Sequence, residues 1–347
     1  MKNIAVIPGD GIGVEVTREA VRVLDTLAAR GLPLAHRTFD FGAERYLRTG
    51  SAITDAELDT LGGFDAIFLG AIGDPRVPDH AHARAILLGM RFHFDLYINL
   101  RPARLMDPAL SPLRSADTEP IDIVIFRENT EGVYAGLGGR LRRGTVDEIA
   151  IEEDVNTYRG VERIIRAAFD YAVRHQRRRV TLTDKANAMP NAGGLWRRVF
   201  AEVGASYRGV EREAVYADAL AMDLVRRPSR YDVIVAPNLF GDLLSDLTAA
   251  LVGGLGLAPS ANLHPGRPGL FEPVHGSAPD IAGTGRANPL AAILTVALML
   301  SELGFEEDAG RVRHAVESAL QRRETTPDLG GALRTEEVGA RLCVSIA

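Results

Sequence analysis

A chain of 347 residues, 46% hydrophobic and 25% charged, has the makeup of a folded globular protein, long enough for one large domain or two of ordinary size. Its net charge of -6 argues against nucleic acid as a partner, because a duplex binder needs a basic face, and no window approaches the ~20 apolar residues that would make the membrane one. A single cysteine, Cys343, cannot close an internal disulfide, and the N-terminus lacks an apolar targeting stretch, so a soluble, cytoplasmic protein is expected.

The first strand is expected over residues 3–7 and runs into PGDGIG, where Gly9, Gly11 and Gly13 alternate, before a helix over 14–29. This is not the G-x-G-x-x-G dinucleotide fingerprint, and no acid downstream clearly serves a ribose, so a standard Rossmann domain is not expected. Further strands are expected at 66–69, 121–126, 179–183 and 231–236. Further helices are expected at 160–175, 193–203, 217–227 and 290–303. Within 160–175, Val161, Ile164, Ile165, Ala168, Phe169 and Ala172 recur at three- and four-residue steps, the spacing of one helix face. Such alternation predicts an α/β protein with a largely parallel sheet. Residues 134–154 differ: glycine turns flank short, charged, β-prone pieces, which predicts an extended hairpin arm suited to packing on a partner chain. The basic run HQRRRV at 175–180 reads as a solvated helix end.

Several residues stand out chemically. Of the 40 basic residues only Lys2 and Lys185 are lysine. Arginine keeps its proton at any accessible pH whereas a buried lysine can lose it, so Lys185, at a strand end in TLTDKANAMP, is a candidate for proton transfer; an ordinary salt-bridged lysine is the alternative. Asp242 and Asp246 in NLFGDLLSD are four residues apart and share one helix face. Two like charges so placed suit a divalent ion such as Mg²⁺ or Mn²⁺, although a helix N-terminus also favours acids. Asp218, among Ala217, Ala219 and Leu220, needs a partner cation, either a metal or a lysine. Arg91, Arg101 and Arg127 stand among apolar or turn residues and, as a set, imply a substrate with two or more carboxylates. Residues 271–289, FEPVHGSAPDIAGTGRANP, are small enough to let a ligand approach backbone N–H groups, and an aspartate there can accept from ribose hydroxyls.

In this order, IPGDGIG, INLRPAR, FRENTEGVYAG, DKAN, the Asp218 segment, NLFGDLLSD and EPVHGSAPDIAG resemble the β-decarboxylating dehydrogenases, the isocitrate and isopropylmalate dehydrogenase family, over essentially the whole chain. Within that family the isopropylmalate branch is the most similar. The resemblance implies that family's two-domain α/β fold with parallel and mixed sheets. Residues 1–99 plus 253–347 would form a cofactor-binding domain, and residues 100–252, with the arm at 134–154, a domain for dimerisation, metal and substrate. It implies a homodimer with a shared active site, oxidising and decarboxylating a small dicarboxylic hydroxy acid. The first choice is 3-isopropylmalate, converted to 2-oxoisocaproate in leucine biosynthesis; tartrate, D-malate, homoisocitrate, isocitrate or a specialised malate are alternatives.

The resemblance also implies roles. Asp218, Asp242 and Asp246 would hold Mg²⁺ or Mn²⁺, one acid coming from the second subunit. Lys185, with Asp218 beside it, would deprotonate the hydroxyl. Arg91, Arg101 and Arg127 would clamp the carboxylates, and Leu87 and Leu88 would contact the isopropyl group. NAD would lie along 271–288, meeting Ile12, Glu272, His275, Gly276, Ser277, Ala278, Asp280, Ile281 and Asn288. Asp280–Ile281 stands where NADP users tend to have Lys and Tyr. Two departures are visible. Asn156 stands where many relatives carry a tyrosine that protonates the enolate, which leaves nearby Tyr158 as the candidate. Arg84 or Ala83 replaces an acid before the leucine pair, and Ala188 stands where a larger apolar residue is common, implying a roomier pocket.

Overall fold

The computed structural model describes residues 1–114 and 120–347 and separates into two compact units. The chain begins with β1 (Lys2–Gly9), α1 (Ile12–Ala29), β2 (Leu34–Thr38), α2 (Ala43–Thr49), α3 (Asp55–Leu61), β3 (Ala66–Ala71) and α4 (Ala81–His93). It continues through β4 (Ile98–Arg104), β5 (Asp122–Glu128), β6 (Gly138–Leu141), β7 (Ile149–Glu152), α5 (Tyr158–Arg174), β8 (Arg179–Asp184), α6 (Pro190–Gly204), β9 (Glu211–Tyr216), α7 (Ala217–Arg226), β10 (Val233–Ala236) and α8 (Asn238–Leu251). It ends with β11 (Pro259–Leu263), β12 (Gly269–Pro273), α9 (Leu290–Glu302), α10 (Glu306–Gln321) and α11 (Thr335–Ile346). The first unit comprises Met1–Leu96, Leu105–Thr118 and Ala249–Ala347, and the second Tyr97–Arg104 and Glu119–Thr248.

In the first unit the strands run β2-β1-β3-β12-β11, all parallel except the β11–β12 pair. β3 is buried at every position, as a central parallel strand covered on both faces must be. α9 is apolar almost all round and nearly every residue from Leu290 to Leu300 is buried, which makes it a core helix. A second cluster joins Ile7, Phe41, Leu61, Ile67 and Leu69 to Ile86, Met90 and Phe94, and so fixes α4 against the sheet.

In the second unit the order is β4-β5-β10-β8-β9, with β4–β5 antiparallel and the rest parallel. Each unit thus carries parallel pairing with one antiparallel pair, the largely parallel, mixed arrangement expected from the sequence. α5 buries the stripe Val161, Ile164, Ile165, Ala168, Phe169 and Ala172, and Thr157 caps it by accepting from Gly160 N–H. β6 and β7 pair antiparallel as a ribbon whose residues are all exposed.

Candidate active site

In the second unit, parallel pairing sets Asp184, the last residue of β8, beside Tyr216, the last of β9. Lys185 follows the one and Asp218 lies just beyond the other, at the start of α7. The register thus joins residues 33 positions apart: Lys185 Nζ stands 2.8 Å from Asp218 Oδ2. The hydrogen bond from Lys185 holds the Asp218 carboxyl below its ordinary range. Behind them Asp184, almost fully buried, accepts from Ala186 N–H and from Arg197 Nε at 2.8 Å, and the Arg197 guanidinium lies over the Tyr216 ring. Both strand ends are thereby tied to α6.

β10 feeds directly into α8, and its pairing with β5 sets Ala236 beside Arg127. A Cβ on Gly241 would come within 2.6 Å of the Arg127 Cβ, so glycine is what lets α8 lie on that arginine. Arg127 Nε donates to Asn238 Oδ1 at 2.9 Å, and its Nη1 pairs with Asp242. Tyr134 donates its hydroxyl to Asp242 Oδ2 at 3.2 Å, with the Arg127 guanidinium over its ring. Burial first, then Asp242, pushes the Tyr134 phenol up. On β4, Asn99 faces Arg127 and lies two residues from Arg101, so the two arginines share a sheet face. Arg101 Nε donates to Asn99 Oδ1 at 2.8 Å, and its Nη1 lies 3.8 Å from Asp246 Oδ1. Burial and the neighbouring Asp242 raise the Asp246 carboxyl against the pull of Arg101.

Asp242 and Asp246 thus present two carboxylates, four residues apart on one helix, to two guanidiniums. A hard divalent cation fits that donor set. Asp218 is turned to Lys185 instead, and among the described residues no three acidic, histidine or cysteine side chains gather into a metal cage within one chain.

The first unit carries Arg91, Leu87 and Leu88 on α4. Arg91 Nη2 pairs with Glu272 Oε1 at 3.2 Å, and Glu272 also accepts from Asn262 at 2.9 Å, so the Glu272 carboxylate anchors Arg91. Leu87 packs partly into the core cluster and Leu88 is half-buried. Ile12 N–H donates to Ser277 O at 2.8 Å, and a Cβ on Gly11 would sit 2.1 Å from that oxygen. The glycine turn after β1 therefore supports the 271–288 loop. On that loop Gly276 faces open space, and burial lowers the His275 pKa, favouring the neutral imidazole. His275 Nε2 is buried with no hydrogen-bond partner among the described residues. This open backbone with an orphaned ring nitrogen fits a nucleotide. Ala278 has φ 35, and Asp280 is exposed beside half-buried Ile281. Asn288 serves the fold: Oδ1 accepts from Leu290 N–H at the start of α9, and Nδ2 donates to Asp328 at 2.9 Å.

Tyr158, the candidate proton donor, is not brought to Lys185. The Tyr158 hydroxyl donates to Glu202 at 3.1 Å and its ring is covered by Arg198, both on α6; the side chain is half exposed. As the first residue of α5, it follows the helix surface rather than turning to Lys185. Asn156 accepts from Trp196 Nε1 at 2.8 Å. Arg84 and Ala188 are exposed or nearly so. Sequence reasoning missed Tyr134, Asn99, Asn238 and Arg197. Tyr134, Asn99 and Asn238 lie inside the motifs that carry the resemblance, but only long-range register reveals whom they touch.

The family model described as isocitrate/isopropylmalate dehydrogenase matches residues 3–342. The chain is 48% identical to a 3-isopropylmalate dehydrogenase of Streptomyces coelicolor, covering 99% of this chain and 98% of the relative. It is 49% identical to one from Corynebacterium urealyticum, with 99% of each covered. Among solved structures, the isocitrate dehydrogenase of Methylococcus capsulatus superposes with TM-score 0.90 at 36% identity, over 100% of this chain and 99% of that one. A β-decarboxylating dehydrogenase of Thermococcus kodakarensis superposes with TM-score 0.81 at 37% identity, over 100% and 96%. The chain belongs to the isocitrate/isopropylmalate dehydrogenase family, whose members are β-decarboxylating dehydrogenases, and it is an enzyme and an oxidoreductase of that class.

Proposed function

We propose that the protein oxidises and decarboxylates 3-isopropylmalate to 2-oxoisocaproate, with NAD and a divalent cation, in leucine biosynthesis. The observation that carries this reading is the Lys185–Asp218 pair together with the acids of α8 set against Arg101 and Arg127. The relatives named 3-isopropylmalate dehydrogenase support the substrate. A cation held by Asp242 and Asp246, with Asp218 as third ligand and one acid supplied by a second subunit, would supply Lewis-acid chemistry. NAD on the 271–288 loop would supply the hydride acceptor.

The chain's own residues do the rest. Arg101 and Arg127, with Arg91, bind the malate carboxylates as bidentate donors. Lys185 Nζ, in its neutral amine form after yielding the ion-pair proton to solvent, takes the proton of the 2-hydroxyl, and Asp218 holds the ammonium so re-formed. Once the alcohol is oxidised, the bond to the 3-carboxylate breaks, CO₂ leaves, and the electron pair passes to the 2-oxo oxygen before C3 is protonated. Leu87 and Leu88 read the isopropyl group; a third carboxylate there would be desolvated without a partner. Asp280 would repel a 2′-phosphate, which supports NAD over NADP. The exposed apolar side chains of the ribbon, Leu141, Ile149 and Ile151, and Met222, Val225 and Leu243 on α7 and α8, suit a second copy of the chain.

The test is a panel of isopropylmalate, isocitrate, homoisocitrate, tartrate and D-malate, each with Mn²⁺ and NAD or NADP, read as kcat/KM. Isopropylmalate with NAD is expected to lead. Preference for isocitrate or homoisocitrate would overturn the role of Leu87 and Leu88, and inactivity on all five would overturn the reading.

A further inference from the structure

A buried carboxylate and imidazole in the first unit have no part in the chemistry above. Asp10, in the glycine turn after β1, is only 7% exposed, and His82, on the first turn of α4, is fully buried. The Asp10 carboxylate gathers three donors from three segments. Oδ1 accepts from Ala43 N–H at 2.7 Å, at the start of α2; Oδ2 accepts from Gly73 N–H at 2.9 Å, after β3, and from His82 Nε2 at 2.8 Å. With Nε2 donating, His82 Nδ1 is left buried without a hydrogen-bond partner among the described residues.

α4 takes a polar anchor at its start from this contact. It is entered through two left-handed residues, Asp79 at φ 53 and His80 at φ 50, and no side chain caps its first turn. The His82–Asp10 bond fixes its start, and the Arg91–Glu272 pair fixes its end to β12, which leads into the 271–288 loop. Asp10 is two residues from Ile12, whose N–H holds Ser277 O on that same loop. A Cβ on Gly73, the residue whose N–H Asp10 accepts, would come within 3.2 Å of Ser277 Oγ. The helix bearing Leu87, Leu88 and Arg91 and the loop assigned to the dinucleotide therefore share one polar hub.

We propose that Asp10 and His82 are positioning residues that couple binding of the hydroxy acid, through α4, to binding of the dinucleotide. The inference rests on the substrate and cofactor assignments of the preceding section. Its test is the dissociation constant of NADH, measured by calorimetry on the full chain with Mn²⁺, with and without saturating isopropylmalate. That pair cannot react, so the ternary complex is a true equilibrium. In the wild type the hydroxy acid is expected to tighten NADH about tenfold, within the usual range of couplings.

In His82→Leu that ratio is expected to fall to about one, while NADH alone binds within about threefold of wild type and the malate KM rises more than kcat falls. His82→Gln, whose amide can still donate to Asp10, is expected to recover most of the coupling. A merely structural histidine would weaken both measurements together and leave their ratio intact, and that result overturns the proposal, as does a wild-type ratio of one. If His82→Leu does not fold, Asp10→Asn is held to the same criteria; if neither folds, the pair is structural and the proposal fails. Should the wild type turn over a different acid of the panel, the substrate assignment fails alone, and the same cycle is run with that acid.

Discussion

Lys185 Nζ lies 2.8 Å from Asp218 Oδ2 with side-chain exposures of 27% and 68%. An ion pair so open to water adds little stability, and arginine preserves it, so Lys185→Arg is expected to leave Tm within about 2 °C of wild type. Arginine cannot release its proton at accessible pH. Loss of a positioned base costs on the order of 10²–10⁴ in turnover, so kcat is expected to fall about a thousandfold, equivalent to about 4 kcal/mol of barrier. The assay is NADH absorbance with isopropylmalate, NAD and Mn²⁺. NADH calorimetry alongside it shows whether the cofactor loop is intact. Lys185→Met removes the charge as well and is expected to be at least as inactive. A folded Lys185→Arg with kcat within about tenfold of wild type would refute proton transfer at this residue. A drop in Tm well beyond the expected range would instead make Lys185 a structural group.

Arg127→Lys keeps a charge but loses the Nε bond to Asn238, the guanidinium contact with Asp242 and the stacking on Tyr134. With Asp242 about one-third exposed, the loss is about 2 kcal/mol by urea denaturation, with a raised malate KM; unchanged values of both would remove Arg127 from the site. Gly11→Ala combines φ 54 with a 2.1 Å approach to Ser277 O, so NADH affinity is expected to fall at least about tenfold, and unaltered binding would contradict the proposed support of the loop. His275 has a folded pKa below its unfolded value of about 6.5, so between those values the unfolded chain binds the extra proton and stability is lost as pH falls through about 6.5. The difference in Tm between wild type and His275→Asn is expected to shrink from pH 8 to below pH 6, and parallel profiles would show that the imidazole is not desolvated.

What the sequence disclosed is what local periodicity and spacing encode. The stripe of α5, the buried run of β3 and the four-residue step between Asp242 and Asp246 each depend on residues within one element. What it withheld depends on register. Lys185 meets Asp218 because β8 and β9 end level, and Arg91 meets Glu272 across 181 residues. Which strands supply the antiparallel pairs, β4–β5 and β11–β12, is likewise hidden, because nothing in INLRPAR or FEPVH announces which neighbour those strands find. The direction of Tyr158 is hidden for a related reason: proximity in sequence to Asn156 says nothing of where a side chain points when the helix begins only at Tyr158. Asp10 and His82 were silent because each alone is an unremarkable polar residue; only the closed contact between them carries meaning.

The second unit holds its acids and bases already paired: Asp218 with Lys185, Asp242 with Arg127, Asp246 with Arg101. A cluster of like charges would be costly in isolation, and mutual pairing removes most of that cost before any ligand arrives. On the proposed function the same side chains exchange partners. The arginines release carboxylates of the protein to take those of the malate, and the freed aspartates become oxygen donors. Neither half of that exchange is favourable alone. A dianion binding to the arginines would strand Asp242 and Asp246 beside each other, and a cation binding to the aspartates would strand the guanidiniums. Binding both together keeps the charge balanced, so malate and Mn²⁺ should each weaken sharply when the other is withheld.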